Sequence, residues 1–251
     1  SSGVTHFLLL VAILIHKELR IMEERESKSF NRMNLSESLK LYGIFGSENL
    51  KNGTNTEAVA QAIKGGMTCV QIREKHLSKR QLLETISEIK PICDEAGVLL
   101  IINDDAEICK ASDTNGVHLG LSDGSISEAR KLLGDEKIIG ATAHNLEEAL
   151  AAEVQGADYI GVGAAFGSNS KGNAVKLPNL EVYDQITSSV KIPVIAIGGI
   201  NSDNIGVLAG RGLVGVAVIS ALFGSEDIEG SARKLRDASQ ELCNRAERTE
   251  I

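Results

Sequence analysis

Short apolar runs alternate with amphipathic stretches along most of the chain, and the alternation occurs eight times from residue 40 onward. Each run holds four or five residues and is nearly continuous in Val, Ile, Leu, Ala or Gly. Such runs are typical of parallel strands that are buried on both faces. The predicted strands are Leu41–Phe45, Cys69–Arg73, Leu99–Asn103, Gly116–Leu119, Ile138–Ala141, Tyr159–Val162, Val194–Ile197 and Gly215–Ile219.

Helical periodicity fills the segments between these runs. Ser78 is the predicted N-cap of a helix that continues to Ala96 with apolar residues at helical spacing. Asn145–Gln155 opens with a capping residue and two acids, and Asp227–Arg248 is long and ends basic. Eight strand–helix units between residues 40 and 248 predict a closed (β/α)8 TIM barrel in a single domain. A doubly wound open sheet is the alternative, but the G-x-G-x-x-G that would follow its first strand is absent from the sequence.

Residues 1–32 do not continue this pattern. Phe7–Ile15 is an unbroken apolar run of nine residues, well short of the ~20 residues that span a bilayer. The segment also has no basic stretch before the run and no A-x-A-like cleavage site. We expect residues 1–32 to be an extension or a loosely ordered helix, and residues 33–251, beginning at Met33, to be the barrel.

Charge and composition narrow the classes of function. The net charge of −8 and the aromatic content of 3% argue against a nucleic-acid surface, which needs basic side chains or stacking platforms. A negative protein must therefore hold an anionic ligand with a local cluster of donors. The four cysteines show no C-x-x-C spacing, which predicts reduced thiols rather than a zinc site or disulfides.

One amide and two cations lie at the end of the second predicted strand. Gln71, Arg73 and Lys75 alternate along the chain, so they share one face and can point into the mouth of the barrel, where such enzymes have their active sites. Arg binds phosphate oxygens with a planar fork, and Lys adds a mobile charge. This set suits a polar heterocycle joined to an anion. The alternative is a rim of salt bridges without a ligand.

Carboxylates follow the third and fourth predicted strands, which are neighbours in a barrel. Asp104 comes directly after the third strand and Asp123 shortly after the fourth. We expect the two carboxylates to converge and to bind Mg2+ together with water and phosphate oxygens. The alternative role for each is helix N-capping, which we assign to Asp105. His118, inside the fourth strand, is predicted to be a packed, hydrogen-bonded histidine.

Glycine-rich segments follow the last three strands. The loop Gly161–Gly172 contains two serines and Lys171, and such a loop can close over an anionic ligand, although a flexible surface loop is the alternative. Gly198–Gly199 follows the seventh strand and Ile219–Ser220 ends the eighth, where these barrels bind phosphate through backbone N–H groups. Thr142, after the fifth strand, is placed to donate a hydroxyl.

Taken in order, the segments QIREK, IINDD, GVHLG, IGATAH, GVGAAF with GSNSK, AIGGI and GVAVIS resemble the thiamin-phosphate synthase family over residues 39–222. The resemblance implies a transferase that joins hydroxymethylpyrimidine diphosphate to thiazole phosphate, with Mg2+ as cofactor and release of pyrophosphate by a dissociative path. It implies that the pyrimidine diphosphate is bound by Gln71, Arg73, Lys75, Asn103, Thr142 and Lys171, of which Arg73, Lys75 and Lys171 are catalytic. It implies that the thiazole phosphate is bound by Ser168, Asn169, Ser170, Gly199, Ile219 and Ser220, and the metal by Asp104 and Asp123.

Two positions depart from the family pattern. Leu121 stands where Gln is common, and Ser168–Lys171 replaces Thr-x-Thr-Lys while keeping both hydroxyls. A thiazole tautomerase shares this barrel, so an isomerase is the first alternative, with His144 as its base although no partner for that side chain is evident. A non-catalytic protein that binds a phosphate ligand is the second.

The expected partners are small phosphorylated molecules, with neither nucleic acid nor membrane, and the expected location is the cytoplasm. The sequence leaves open whether the barrel is a monomer or a homo-oligomer.

Overall fold

The computed structural model describes residues 35–167 and 176–247. Within them, eight parallel strands pair in chain order, and the eighth pairs with the first to close a barrel. The strands are β1 (Leu41–Phe45), β2 (Cys69–Ile72), β3 (Leu99–Asn103), β4 (Gly116–Leu119), β5 (Ile138–Ala143), β6 (Tyr159–Gly163), β7 (Val194–Ile197) and β8 (Gly215–Val218). The predicted single-domain TIM barrel is confirmed, and the predicted extension at residues 1–32 lies outside the described residues.

The predicted bounds of β1, β3, β4 and β7 are confirmed, and the C-terminal ends of the other four strands differ from the prediction by one or two residues. The largest difference is in β5, which continues to Ala143 because Thr142 pairs with Gly161 and Ala143 with Val162 in the adjacent strand. The polar Thr142 interrupts the apolar run and hid this extension. The strand was therefore predicted too short at the end that carries a candidate ligand residue.

Helices cover the outside of the barrel. They are α1 (Asn55–Lys64), α2 (Lys79–Ala96), α3 (Ala106–Ser112), α4 (Ile126–Leu133), α5 (Leu146–Gln155), α6 (Glu181–Thr187), α7 (Ser220–Phe223) and α8 (Ile228–Glu247), with 3-10 turns at Ser47–Asn49 and Ile205–Leu208. The predicted N-caps Ser78, Asp105 and Asn145 each accept a hydrogen bond from a backbone N–H of the first helical turn. No helix in the described ranges is long and apolar enough to cross a bilayer.

Successive residues of each strand face alternately outward to the helices and inward to the interior of the barrel. Outward residues such as Val70, Ile102 and Val162 are fully buried and pack against the helices in one apolar core. Inward residues include buried polar side chains, among them Gln71 and His118. The barrel interior is therefore partly polar near the rim where the strands end.

At the opposite rim, where the strands begin, one guanidinium group connects α4 to the segments that precede β5 and β6. Arg130 of α4 donates to the carbonyls of Gly134 and Lys137 at 3.0 and 2.6 Å, and to the carbonyl of Gly156 and the carboxylate of Asp158 at 2.9 and 2.5 Å. Its side chain is 19% exposed. This arrangement fits the stabilising role of the lower rim in such barrels.

Replacing Arg130 by methionine is expected to destabilise the fold by about 2–3 kcal/mol, because several acceptors lose a charged donor while the apolar stem is kept. The measurement is the free energy of unfolding in urea. The control is Arg80→Met, since Arg80 is 88% exposed and pairs with Glu84 one turn along its helix. Equal stability of the two variants would contradict the prediction.

Candidate active site

The second strand delivers an amide and a cation to the mouth of the barrel. Gln71 is 3% exposed, and its Nε2 donates to the hydroxyl of Tyr42 at 2.7 Å. Arg73 follows the strand and is half-buried, and its backbone N–H donates to Phe45 O at 2.7 Å. Among the described residues, no ion pair or side-chain hydrogen bond occupies the Arg73 guanidinium. This group is therefore available to an anionic ligand.

Lys75 pairs with an acid that the sequence did not single out. Its Nζ lies 3.0 Å from the Glu48 carboxylate, and the hydrogen bond from Lys75 lowers the pKa of Glu48. Glu48 belongs to the 3-10 turn after β1, which is fixed to the second strand because Ser47 donates to Glu74 from both its N–H and its hydroxyl, at 2.7 and 3.0 Å. Glu48 could have been found from the sequence, because it is an acidic residue shortly after the first strand and therefore lies at the same rim as Lys75.

The two predicted metal ligands lie in adjacent loops. Asp104 follows β3, its N–H donates to His118 O of β4 at 2.9 Å, and its carboxylate accepts from the Asn103 amide. Its φ of 64° is rarely adopted by a residue other than glycine. The Asp123 carboxylate accepts from Gly120 N–H at 3.0 Å. Both acids are exposed at the rim.

Asp123 and Asp104 do not cap the helices that follow them, since Ser125 and Asp105 do so. The N-capping alternative is therefore wrong for both. Among the residues that the structure describes, no group of three or more His, Cys, Asp or Glu side chains could hold a metal ion.

A histidine of β4 contacts side chains of the next two strands, β5 and β6. Nε2 of His118 lies 3.0 Å from Oγ1 of Thr142, and its Nδ1 lies 2.9 Å from the Tyr159 hydroxyl. The prediction that His118 is packed and hydrogen-bonded is confirmed. Thr142 is half-buried at the end of β5, so its hydroxyl lies between this histidine and the mouth.

His144, the candidate base of the isomerase alternative, does have a partner. Its Nδ1 and its backbone N–H contact Glu148 Oε2 at 2.9 and 2.7 Å. Burial acts to raise the pKa of Glu148, but the hydrogen bonds from His144 outweigh it, and the pKa is lowered. The expectation of no partner was wrong because the spacing of four residues places Glu148 in the first turn of α5, facing His144.

The glycine pair after the seventh strand lets two loops come into contact. Gly198 and Gly199 have φ of 103° and 65°, and a Cβ on Gly199 would lie 2.6 Å from Gly167 O. Phe166 N–H donates to Gly198 O at 3.0 Å. Only glycine fits this approach, which sets the start of the loop after β6 against the end of β7.

The eighth strand leads directly into a short helix. Ile219 precedes α7 and Ser220 is its first residue. The first backbone N–H groups of a helix have no partner within it, and a short extra helix after the eighth strand recurs in the phosphate sites of TIM barrels. The remaining candidates, Ser168, Asn169, Ser170 and Lys171, lie outside the described residues.

Comparisons with known proteins agree on one family. The family model described as thiamine monophosphate synthase matches residues 41–222. The thiamine-phosphate synthase of Clostridium acetobutylicum is 42% identical over 79% of this chain and 93% of its own length. That of Moorella thermoacetica is 45% identical over 72% of this chain and 86% of its own. The structure of a thiamine phosphate pyrophosphorylase from Pyrococcus furiosus superposes with a TM-score of 0.75 at 38% identity, covering 83% of this chain and 98% of that one.

Proposed function

Because the chain belongs to the thiamine monophosphate synthase family, we propose that it joins hydroxymethylpyrimidine diphosphate to thiazole phosphate and forms thiamin phosphate with release of pyrophosphate. The observation that carries the proposal is the extent of the family match, residues 41–222, which includes all eight strands and every candidate site residue. Function in this fold depends on its site rather than its architecture.

The diphosphate is bound by the cations that follow β2. No ion pair or side-chain hydrogen bond of the Arg73 guanidinium is present among the described residues, although its charge adds to that of Lys75 in lowering the pKa of Glu48. Its planar fork matches two phosphate oxygens. Lys75 pairs with Glu48 at 3.0 Å at an exposed position, where an ion pair contributes little. Its ammonium group can therefore turn from Glu48 to the diphosphate at small cost. Lys171 supplies a further cation.

The carboxylates of Asp104 and Asp123 fit a magnesium ion. Mg2+ is commonly held by one or two carboxylates, substrate phosphate oxygens and water, and both acids are exposed and anchored by neighbouring donors. An ionised carboxylate has about four acceptor sites, so the hydrogen bond from Gly120 leaves room for a cation on Asp123. A Mg2+ ion held by Asp104 and Asp123 would supply positive charge to neutralise the departing pyrophosphate.

The reaction breaks the bond between the methylene carbon and the diphosphate oxygen, and its electron pair leaves with pyrophosphate. The aminopyrimidine, held by Gln71, Asn103 and Thr142, stabilises the cationic methylene group. The thiazole nitrogen then donates its electron pair to form the new C–N bond. Arg73 and Lys75 stabilise the charge that develops on the leaving group, and positioning of the two substrates supplies much of the remaining acceleration.

The thiazole phosphate is bound on the opposite side of the mouth. Gly199 and the backbone N–H groups at Ile219 and Ser220 approach its phosphate. The side chains of Ser168, Asn169 and Ser170 add polar contacts. The two phosphate-bearing substrates are thus held by separate groups of residues, which lets each substrate be tested by itself.

The test supplies both substrates with Mg2+ and quantifies thiamin phosphate and pyrophosphate. We expect equal amounts of the two products, and neither product when one substrate is omitted. Conversion of thiazole phosphate alone would favour the isomerase, and binding without turnover would favour a non-catalytic ligand-binding protein. Either result would overturn the proposal.

A further inference from the structure

Five side chains form a continuous hydrogen-bonded chain across the inside of the barrel. Gln71 Nε2 donates to Tyr42 OH at 2.7 Å, and the hydroxyls of Tyr42 and Tyr159 lie 2.9 Å apart. Tyr159 OH lies 2.9 Å from His118 Nδ1, whose Nε2 lies 3.0 Å from Thr142 Oγ1. This hydrogen-bonded chain begins at Gln71 and ends at Thr142, which face the mouth from opposite sides. The three side chains between them have no role in the proposed reaction.

The polarity of the hydrogen-bonded chain is assigned from the Gln71 end, since hydroxyl and imidazole groups can each donate or accept. In this polarity the Tyr42 hydroxyl accepts from Gln71 Nε2 and directs its own hydrogen to Tyr159. Burial raises the pKa of both tyrosines well above its ordinary value, so each keeps the single hydrogen it can donate. The same polarity has Tyr159 donating to Nδ1 of His118, and Nε2–H of His118 donating to Thr142.

Both ends are thereby oriented for a ligand. Oε1 of Gln71 takes no part in the chain and remains an acceptor, while the Thr142 hydroxyl, which already accepts from His118, keeps its hydrogen to donate. An aminopyrimidine carries an exocyclic amino donor and ring-nitrogen acceptors. An amide with a fixed orientation can match such a donor and acceptor pair, as glutamine does when it contacts adenine.

Stability alone does not explain why these five polar side chains are hydrogen-bonded inside the barrel. Such barrels usually fill their interior with branched apolar residues, and each buried polar group here would cost free energy if its partner were lost. The neighbouring strand also makes room for it, since a Cβ on Gly140 would lie 2.1 Å from the Tyr159 ring. The polar interior is thus built by residues from five different strands.

We propose that Tyr42, Tyr159 and His118 are positioning residues that fix the orientation of the Gln71 amide and the Thr142 hydroxyl for the aminopyrimidine of the diphosphate substrate. The inference rests on the proposed function, because it assigns this substrate to the Gln71 side of the mouth. It adds three residues that do not contact the substrate themselves. Their effect is expected on recognition of one substrate and not of the other.

The test compares two variants that each remove one buried tyrosine hydroxyl. Tyr159→Phe interrupts the chain at its centre. Tyr183→Phe is the matched control, because Tyr183 is also fully buried but its hydroxyl donates to Val162 O at 3.0 Å outside the barrel interior. For Tyr159→Phe we expect KM for the pyrimidine diphosphate to rise about tenfold, because a change of this size corresponds to the loss of one hydrogen bond. We expect kcat to change by less than about threefold. KM for the thiazole phosphate should stay unchanged, and Tyr183→Phe should leave both KM values unchanged.

An unchanged KM for the pyrimidine diphosphate in a folded Tyr159→Phe protein would overturn the proposal, as would an equal rise for both substrates. If Tyr159→Phe does not fold, Tyr42→Phe interrupts the hydrogen-bonded chain one step nearer Gln71 and has the same expected result.

Nitrogen NMR of the wild type tests the polarity without any variant: His118 should carry its proton on Nε2, and a proton on Nδ1 would contradict it. Absence of product in the wild type would refute the proposed function instead, which separates the two failures.

Discussion

Replacing Arg73 by methionine should lower kcat/KM for thiamin phosphate formation by about 100- to 1000-fold, because the leaving group loses a preorganised cation at the moment its charge develops. The guanidinium has no ion pair or side-chain hydrogen bond among the described residues, so no structural partner is lost with it. The unfolding free energy should accordingly change little. Steady-state kinetics with the pyrimidine diphosphate varied would measure the effect.

Two further variants give the Arg73 prediction its controls. Arg73→Lys keeps the charge but loses the planar fork, so its activity should lie between those of the wild type and of Arg73→Met. Arg236→Met removes a half-buried arginine from α8, where it donates to Gln240 at 3.2 Å, and should leave kcat/KM unchanged. Equal activity of Arg73→Met and Arg236→Met would remove Arg73 from the mechanism.

Asp104→Asn should reduce pyrophosphate release by about 100-fold or more, because the variant loses a negative ligand for Mg2+ at the leaving group. Asn tolerates the left-handed backbone that Asp104 adopts with φ of 64°, so the loop should keep its conformation. Asp123→Asn should show the same loss. Raising the Mg2+ concentration should restore part of the rate in each variant, which a purely structural defect would not allow.

Asp113→Asn is the matched control for Asp104→Asn. Asp113 is also a left-handed aspartate, with φ of 50°, but it ends α3 and pairs with Lys137 at 2.6 Å on a surface away from the mouth. Its substitution should leave pyrophosphate release and its Mg2+ dependence unchanged. If both aspartate variants lost activity alike, the effect would belong to the backbone conformation and not to the metal.

The barrel could be predicted from sequence because its strands are buried on both faces and read as apolar runs. The residues at the ends of those strands, Gln71 to Lys75 and Asp104 among them, could also be singled out, because the fold brings all strand ends to one side. The exact end of β5 could not be predicted, because Thr142 is polar although it belongs to the strand.

The interior chain could not be predicted in the same way. Tyr42 and Tyr159 sit within apolar runs, where their rings suit a buried strand, and their hydroxyls meet across 117 residues of sequence. Their pairing depends on closure of the barrel and on which face of each short strand turns inward. The pairing of Lys75 with Glu48 depends likewise on how the loops after β1 and β2 pack. By contrast, the contact between His144 and Glu148 is local and could have been predicted from their spacing.

An experimental structure of this protein with Mg2+ and pyrophosphate bound would test most directly whether carboxylates and cations from separate loops meet around one leaving group. We expect pyrophosphate at the strand-end rim, with its oxygens contacting Arg73 and Lys75 and the metal bound between Asp104 and Asp123. Pyrophosphate bound elsewhere, or a metal that contacts neither carboxylate, would contradict this expectation.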